Sequence, residues 1–172
     1  MIHHAKSDWD EPGASDFERS LSEKGRRDVK TLGSYLKLRG IRPDSIVSSC
    51  ALRAQETADG LAELTGFEGR VQYLNELYFT PPETMLQVLL MQDDAHDSLF
   101  FIGHNPQLTA LANLLSREHI GKIPSMGILA LKFSVDTWEA LETHRGAVDF
   151  MIFPKQFRYY MPQQIRATLD LA

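Results

Sequence analysis

The sequence contains one cysteine and no apolar run long enough to cross a membrane. Because Cys50 is alone among 172 residues, a disulfide framework and a zinc site with several cysteine ligands are excluded. The apolar stretches at 99–102 and 127–131 are far shorter than the roughly 20 residues of a membrane helix. The start also lacks the charged region and apolar segment of a secretion signal. We therefore expect a cytoplasmic protein without membrane attachment.

Positive charge is also scarce, with 18 Lys and Arg against 23 Asp and Glu and a formal net charge of −5. This balance argues against nucleic-acid binding, although a few Arg and His can still build a local anion site. The composition is 43% apolar and 24% charged, as in a globular domain that folds without disulfides or metal. No repeat or linker divides the chain, so we expect one domain over 1–172.

Strand and helix patterns alternate along most of the chain. Helices are predicted over 22–38, 51–64, 80–90 and 108–115, and strands at 45–48, 71–74, 98–102, 127–133 and 147–153. This order predicts an α/β fold, a three-layer α/β/α sandwich with a mostly parallel central sheet. The last two strands follow one another directly, which indicates an antiparallel edge strand.

The start of the first helix and the C-terminal end of the chain carry further sequence signals. Ser20 and Glu23 have the spacing of a capping box at the start of the first helix. At the other end of the chain, residues 155–172 form a C-terminal extension. Ile165 and Leu169 fit one face of a short helix in that extension, which we expect to pack onto the domain.

Several polar side chains follow the predicted strands, where ligands of open α/β sheets bind. They are His3, His4, Arg53, Glu76 and His104. An arginine matches phosphate oxygens with two donors, and a histidine can donate, accept or attack. Two imidazoles, a guanidinium and a carboxylate at one rim therefore predict a phosphate-handling site.

Four motifs occur in order: HAKSDW at 4–9, LSEKGRRD at 21–28, SSCALRAQETA at 48–58 and GHNP at 103–106. Together they resemble the SixA-type phosphohistidine phosphatases of the histidine phosphatase superfamily, which also holds the cofactor-dependent phosphoglycerate mutases. The resemblance runs from residue 3 to about residue 154. It implies a phosphoglycerate mutase-like fold, phosphatase activity without metal or cofactor, and a place in bacterial signalling. The implied substrate is a phosphorylated protein, such as a histidine-containing phosphotransfer domain or a phosphocarrier.

The resemblance also implies roles for individual residues. His4 matches the nucleophile that becomes phosphohistidine, and Arg53 matches an arginine that holds phosphate oxygens. His104 matches the second histidine, which donates to the phosphate in flight. Glu76 lies where the wider superfamily often places its proton donor.

The phosphate-binding set implied by the same motifs is His3, Ser7, Arg53, His104 and Asn105. Positioning and positive charge are the main requirements of phosphoryl transfer, so these residue types suffice without a metal. A metal shared by His3 and His4 is disfavoured, because adjacent residues of a strand point to opposite faces. A monomer or a weak dimer is expected.

One position departs from the family pattern. The family has arginine immediately before the nucleophile, where this chain has His3. An imidazole lacks the fixed charge and the forked donors of a guanidinium. The loss costs roughly 2 to 4 kcal/mol of transition-state binding, or about 30-fold to 1000-fold in rate. Binding of phosphate by His3 as an imidazolium would compensate in part and shift activity toward acid pH.

Three functions therefore stay open. The first is a phosphohistidine phosphatase with a phospho-His4 intermediate, and the second is a small-molecule phosphomonoesterase. The third is an impaired relative that only binds phosphorylated proteins, because the arginine is missing.

Restoring that arginine with His3→Arg should raise the rate of phosphate hydrolysis at neutral pH. The gain is expected because a guanidinium stays charged and contacts two phosphate oxygens at once. Steady-state kinetics at pH 7 on both proteins measure the change. Equal rates would contradict the assumed position of residue 3 beside the phosphate.

Overall fold

A six-stranded sheet lies at the centre of the computed structural model, which describes residues 1–8 and 15–159. Its strands are β1 (Ile2–His3), β2 (Ser45–Ser49), β3 (Gln72–Leu74), β4 (Leu99–Gly103), β5 (Ile128–Lys132) and β6 (Ala147–Ile152). Their spatial order is β3-β2-β4-β1-β5-β6. The strands β3, β2, β4 and β1 are parallel, so their carboxyl ends meet at one edge of the sheet.

The last two strands complete the sheet in antiparallel fashion. β5 is antiparallel to β1 on one side and to β6 on the other. The reversed strand is therefore β5, and β6 forms the outer edge. This arrangement confirms the predicted α/β class with a mostly parallel sheet and antiparallel pairing at one edge.

Helices cover both faces of this sheet. They are α1 (Glu23–Leu38), α2 (Leu52–Thr65), α3 (Pro82–Leu90), α4 (Gln107–Leu115) and α5 (Pro154–Tyr159). Short 3-10 turns occur at Asp16–Glu18, Asn75–Leu77 and Glu139–Glu142. Buried residues of α1, α2 and α5 share one core cluster with the sheet, whereas those of α3 and α4 share another. The three predicted layers follow from these two cores.

The central strands supply both cores because successive side chains point to opposite faces. Ile46 joins the α1 and α2 side, and Val47 joins the α3 and α4 side. Phe100 and Phe101 of the neighbouring β4 divide in the same way. This explains why these strands read as continuous apolar runs in the sequence.

The start of α1 differs from the sequence prediction. The helix begins at Glu23 with Ser22 as its N-cap, and the Ser22 hydroxyl accepts from the Gly25 amide at 3.0 Å. The predicted box of Ser20 with Glu23 is therefore wrong. The reason is tertiary, because Ser22 also donates from its amide (2.9 Å) and its hydroxyl (3.0 Å) to the Lys6 carbonyl.

The C-terminal extension is described only as far as α5. Phe157 of α5 is buried and meets Tyr35 of α1 with ring centroids 5.2 Å apart. The predicted packing of Ile165 and Leu169 lies outside the described residues. Within residues 1–8 and 15–159, no helix is long and apolar enough to span a bilayer.

Gly25 lets α1 approach the chain segment that follows β1. A Cβ placed on Gly25 would overlap the Lys6 carbonyl oxygen and lie 3.1 Å from its carbonyl carbon. The same carbonyl accepts the two hydrogen bonds from Ser22. The first turn of α1 therefore requires glycine at this position to hold residues 4–6 in place.

The variant Gly25→Ala should be less stable by about 1 to 3 kcal/mol, the usual cost of overpacking. Helix propensity alone predicts the opposite sign, since Ala is about 1 kcal/mol better than Gly inside a helix. Urea unfolding measures the difference. The matched control is Gly121→Ala, where an added Cβ has no atom within 4 Å. A Gly25→Ala variant as stable as this control would contradict the close approach.

Candidate active site

Three residues that follow parallel strands meet at one edge of the sheet. His4 comes directly after β1, His104 directly after β4, and Arg53 is the second residue of α2, which follows β2. The ring centroids of His4 and His104 are 4.9 Å apart. Arg53 Nε lies 3.2 Å from His4 Nε2 and Arg53 Nη2 lies 3.5 Å from His104 Nδ1. Residues that are up to a hundred positions apart in the chain thus form one cluster.

Hydrogen bonds fix the orientation of the His4 ring. Its Nδ1–H donates to the Ala5 carbonyl at 2.8 Å, which leaves a lone pair on Nε2 facing the Arg53 N–H. The Ala5 amide in turn donates to the Thr57 hydroxyl at 3.0 Å. Burial, together with the neighbouring His3, lowers the pKa of His4 to about 2. The ring is therefore neutral at pH 7, with its proton on Nδ1 and a lone pair on Nε2.

Arg53 is 2% exposed, and it keeps its charge inside the protein through several acceptors. Nη1 donates to the Asp16 carbonyl, and Nη2 donates to the Asp16 carboxylate at 3.0 Å. The Nε–H and the second Nη2–H then face His4 and His104. The guanidinium therefore presents two N–H groups to the space between the imidazoles.

Asp16 holds this guanidinium, although the sequence did not single it out. Its carboxylate accepts from Arg53, from Arg19 at 2.7 Å and from the Tyr78 hydroxyl at 2.7 Å. Burial alone would raise its pKa, but the donors hold the pKa of Asp16 at about 2. The one sequence signal is the i,i+3 spacing of Asp16 and Arg19, which is too common to be specific.

His104 is 1% exposed and bridges the cluster to β2. Arg53 donates toward Nδ1, so Nε2 carries the proton and donates to the Ser49 hydroxyl at 2.8 Å. Burial and the charge of Arg53 lower the pKa of His104 to about 3. An oxyanion beside Nδ1 would favour a proton on that atom, because an opposite charge stabilises the imidazolium.

His3 lies beside His4, with ring centroids 4.7 Å apart. Its Nδ1 is 3.1 Å from the Ile123 carbonyl and 3.2 Å from the amide nitrogen of Asn105. Asn105 also donates to the Ile123 carbonyl and accepts from the Thr109 amide at 3.1 Å. Burial lowers the pKa of His3, so a nearby anion would have to raise it before residue 3 carried charge at pH 7. Asn105 therefore contacts both His3 and the carbonyl group beside it, and so helps to position the His3 ring.

Two other candidate residues make no hydrogen bond to either paired imidazole within the described part of the chain. The Ser7 hydroxyl accepts from Arg19 Nη2 at 2.8 Å, which steadies the arginine that contacts Asp16. Glu76 is exposed and, among the described residues, makes no hydrogen bond or ion pair. Burial first, and then the charge of Glu76, raise the pKa of the nearby Cys50 thiol. Within the described residues, no hydrogen bond or ion pair therefore joins Glu76 to the cluster formed by His3, His4, Arg53 and His104.

Aromatic side chains border the cluster on one side. The Phe79 ring lies 5.0 Å from the His104 ring, and the Tyr78 ring lies 5.5 Å from it. The Arg53 guanidinium carbon is 5.9 Å from the centroid of each aromatic ring. No pattern in the sequence pointed to Tyr78 or Phe79 as residues of this site.

The arrangement is suited to an anion with several oxygens. It combines one fixed positive charge, one neutral imidazole whose Nε2 lone pair accepts from Arg53, and a second imidazole able to take a proton. Within the part of the chain that is described, no group of three or more His, Cys, Asp or Glu residues is placed to hold a metal ion. Nucleophilic attack on phosphorus beside Arg53 is the chemistry that this geometry supports.

Comparison with known proteins identifies the family of this chain. Residues 1–97 match the family model of the histidine phosphatase superfamily (branch 1). An uncharacterized protein of Mycobacterium tuberculosis is 30% identical over 141 residues, which cover 76% of this chain and 86% of the relative.

Solved structures with the same fold include SixA proteins. The candidate phosphohistidine phosphatase SixA from Agrobacterium tumefaciens is 26% identical, with a TM-score of 0.76 over 89% of this chain and 95% of the other. The protein histidine phosphatase SixA in complex with tungstate is 19% identical, with a TM-score of 0.78 over 91% and 96%. The second likeness concerns the fold. The chain therefore belongs to the histidine phosphatase superfamily, branch 1, as a SixA-type member.

Proposed function

We propose that this phosphatase removes phosphate from a histidine of a phosphorylated protein, through a covalent intermediate on His4. Membership in the superfamily supports the coarser activity, that of a phosphatase. The observation that carries the finer proposal is the Nε2 lone pair of His4, which faces the buried guanidinium of Arg53 at 3.2 Å. A protein such as a histidine-containing phosphotransfer domain or a phosphocarrier is the proposed partner.

In the first step His4 Nε2 attacks the phosphorus while the bond to the substrate nitrogen breaks. The Nδ1–H bond to the Ala5 carbonyl supports the positive charge that develops on the His4 ring. Arg53 exchanges its contact with Nε2 for contacts with equatorial phosphoryl oxygens, and His104 donates from Nδ1 once the dianion has raised its pKa. The leaving imidazole keeps the electron pair of the broken P–N bond and takes a proton from solvent, so it departs neutral.

In the second step water attacks the phosphorus of phospho-His4. The P–N bond breaks, inorganic phosphate forms, and Nε2 regains its lone pair. Because Asp16 holds Arg53 from the other side, the guanidinium keeps its position through both steps. Positive charge and positioning come from Arg53 and the imidazoles, so we propose that the reaction needs no metal.

The position of Glu76 favours a P–N substrate over a phosphate ester. An alkoxide leaving group requires a strong general acid, whereas an imidazole is easily protonated. Glu76 is exposed and unbonded among the described residues, and Asp16 stays ionised under three donors. Among the described residues, neither carboxyl group makes a hydrogen bond to His4, and Asp16 holds no proton to give. The geometry therefore supports phosphohistidine better than a phosphomonoester.

Turnover of a phosphorylated phosphotransfer domain should exceed turnover of an aryl phosphate. The expected ratio in kcat/KM is at least about tenfold, since general acid assistance that the ester lacks here contributes about 10²-fold or more. Release of inorganic phosphate from both substrates measures the ratio. A preference for the aryl ester would support a phosphomonoesterase, and binding without turnover would support an impaired relative.

The variant His4→Ala should lose at least about 1000-fold in rate and should no longer acquire acid-labile label from radioactive substrate. The matched control is His119→Ala, which changes an exposed histidine outside the cluster. Label retained on His4→Ala would rule out His4 as the nucleophile. The control should match the unmodified protein in both readouts.

The neutral imidazoles should make stability depend on pH. The pKa is about 2 for His4 and about 3 for His104 in the folded protein, against about 6.5 in an unfolded chain. Their contribution is therefore complete above pH 6.5 and is lost as pH falls below it. Each histidine adds about 1.4 kcal/mol per pH unit to the slope of the unfolding free energy.

Urea unfolding between pH 7 and pH 5 tests this dependence. His104→Gln should reduce the average slope over this range by about 1 kcal/mol per pH unit, because the full value of about 1.4 is reached only well below pH 6.5. The exposed control His119→Gln should keep the slope of the unmodified protein. Equal slopes for all three proteins would show that His104 is not held neutral.

A further inference from the structure

Three aromatic side chains form a continuous wall beside the phosphate-binding residues. Phe17 and Tyr78 meet edge to face with ring centroids 5.0 Å apart, and Tyr78 and Phe79 are 4.7 Å apart. Phe79 then continues onto His104, at 5.0 Å with 33° between the ring planes. This aromatic wall, made of Phe17, Tyr78 and Phe79, therefore runs from the turn that contains Asp16 to the second histidine.

The outer members of the wall expose much of their ring surface. Phe17 is 36% exposed and Phe79 is 48% exposed. Burying each ring fully would stabilise the fold by about 1.5 to 3 kcal/mol, so packing alone does not explain their position. A ring face that stays open beside polar catalytic groups is typical of a surface that receives an apolar part of a ligand.

The backbone at Phe79 adds a second observation. Its φ of +48° lies in the left-handed region, which a bulky residue rarely adopts. Such a conformation costs about 1 kcal/mol or more and is concentrated at functional sites. It places the Phe79 ring over His104 and Arg53, between the turn at Asn75–Leu77 and the start of α3 at Pro82.

We propose that the aromatic wall selects a planar leaving group, the imidazole of phosphohistidine, by stacking it on the open face of Phe79. The phosphoryl group meets His4 and Arg53 while the ring attached to it lies against the wall. This inference rests on the proposed function for the identity of the ring. Stacking of one ring on an aromatic side chain contributes about tenfold in binding.

A pair of phosphonates that cannot be hydrolysed tests the wall without turnover. The unmodified protein should bind phenylphosphonate about tenfold more tightly than methylphosphonate in calorimetry. Phe79→Leu, which keeps an apolar side chain without a ring, should lose this preference, and Phe79→Trp should retain it. Tyr73→Ala, an exposed aromatic position on β3, is the matched control and should keep it.

Turnover of two P–N substrates then tests the imidazole. Phosphoimidazole carries a ring and phosphoramidate does not, although both break a P–N bond. Phe79→Leu should lower kcat/KM about tenfold for phosphoimidazole and change it less than twofold for phosphoramidate.

Two results would overturn the inference. An unmodified protein without a phenyl preference has no stacking surface at Phe79. If Phe79→Leu lowered kcat/KM equally for phosphoimidazole and for phosphoramidate, Phe79 would only support the positions of His104 and Arg53. Failure of the proposed function would give a different result. The unmodified protein would then prefer phenylphosphonate and yet hydrolyse neither P–N compound. That result would also overturn the assignment of the stacked ring as an imidazole.

Discussion

The buried guanidinium of Arg53 is the constraint that organises this site. A charge that is 2% exposed is tolerated only with a full set of partners. Asp16 supplies a carbonyl and a carboxylate oxygen on one side, and the two imidazoles supply nitrogen lone pairs on the other. The loop that carries Asp16 is thereby drawn to the carboxyl ends of the strands.

Burial first, and this charge in addition, keep the neighbouring imidazoles neutral. Buried imidazoles next to a fixed cation remain neutral, and a neutral ring is what a nitrogen nucleophile requires. An incoming phosphoryl dianion offsets the cation and favours proton uptake at His104. In the proposed mechanism, substrate binding and the supply of a proton are therefore coupled through Arg53, while Asp16 remains engaged with its three donors.

Much of this structure could be predicted from the sequence, because it depends on strand and helix patterns and on short motifs. The alternation of elements indicated the parallel sheet, and the rule for ligands of such sheets indicated His4, Arg53 and His104. The position of Glu76 could not be predicted, since a turn of three residues decides whether its side chain faces inward or outward.

Other features depended on contacts between distant segments. Asp16, Tyr78 and Phe79 reach the site from loops whose paths have no periodic pattern. The cap of α1 moved to Ser22 because the Lys6 carbonyl, sixteen positions earlier, accepts from it. Local sequence patterns carry no information about hydrogen-bond partners that are so distant in the chain.

The reversed direction of β5 has a consequence for how the family can vary. A strand that runs against its neighbours begins where they end, so the segment that enters β5 lies beside the active site. In that segment the Ile123 carbonyl accepts a hydrogen bond from the side-chain amide of Asn105. The Gly127 carbonyl accepts a hydrogen bond from the backbone N–H of His3 at 3.1 Å. Evolution at residue 3 is therefore tied to a loop 120 positions away. Among relatives, the side chain before the nucleophile and the shape of this loop should change together.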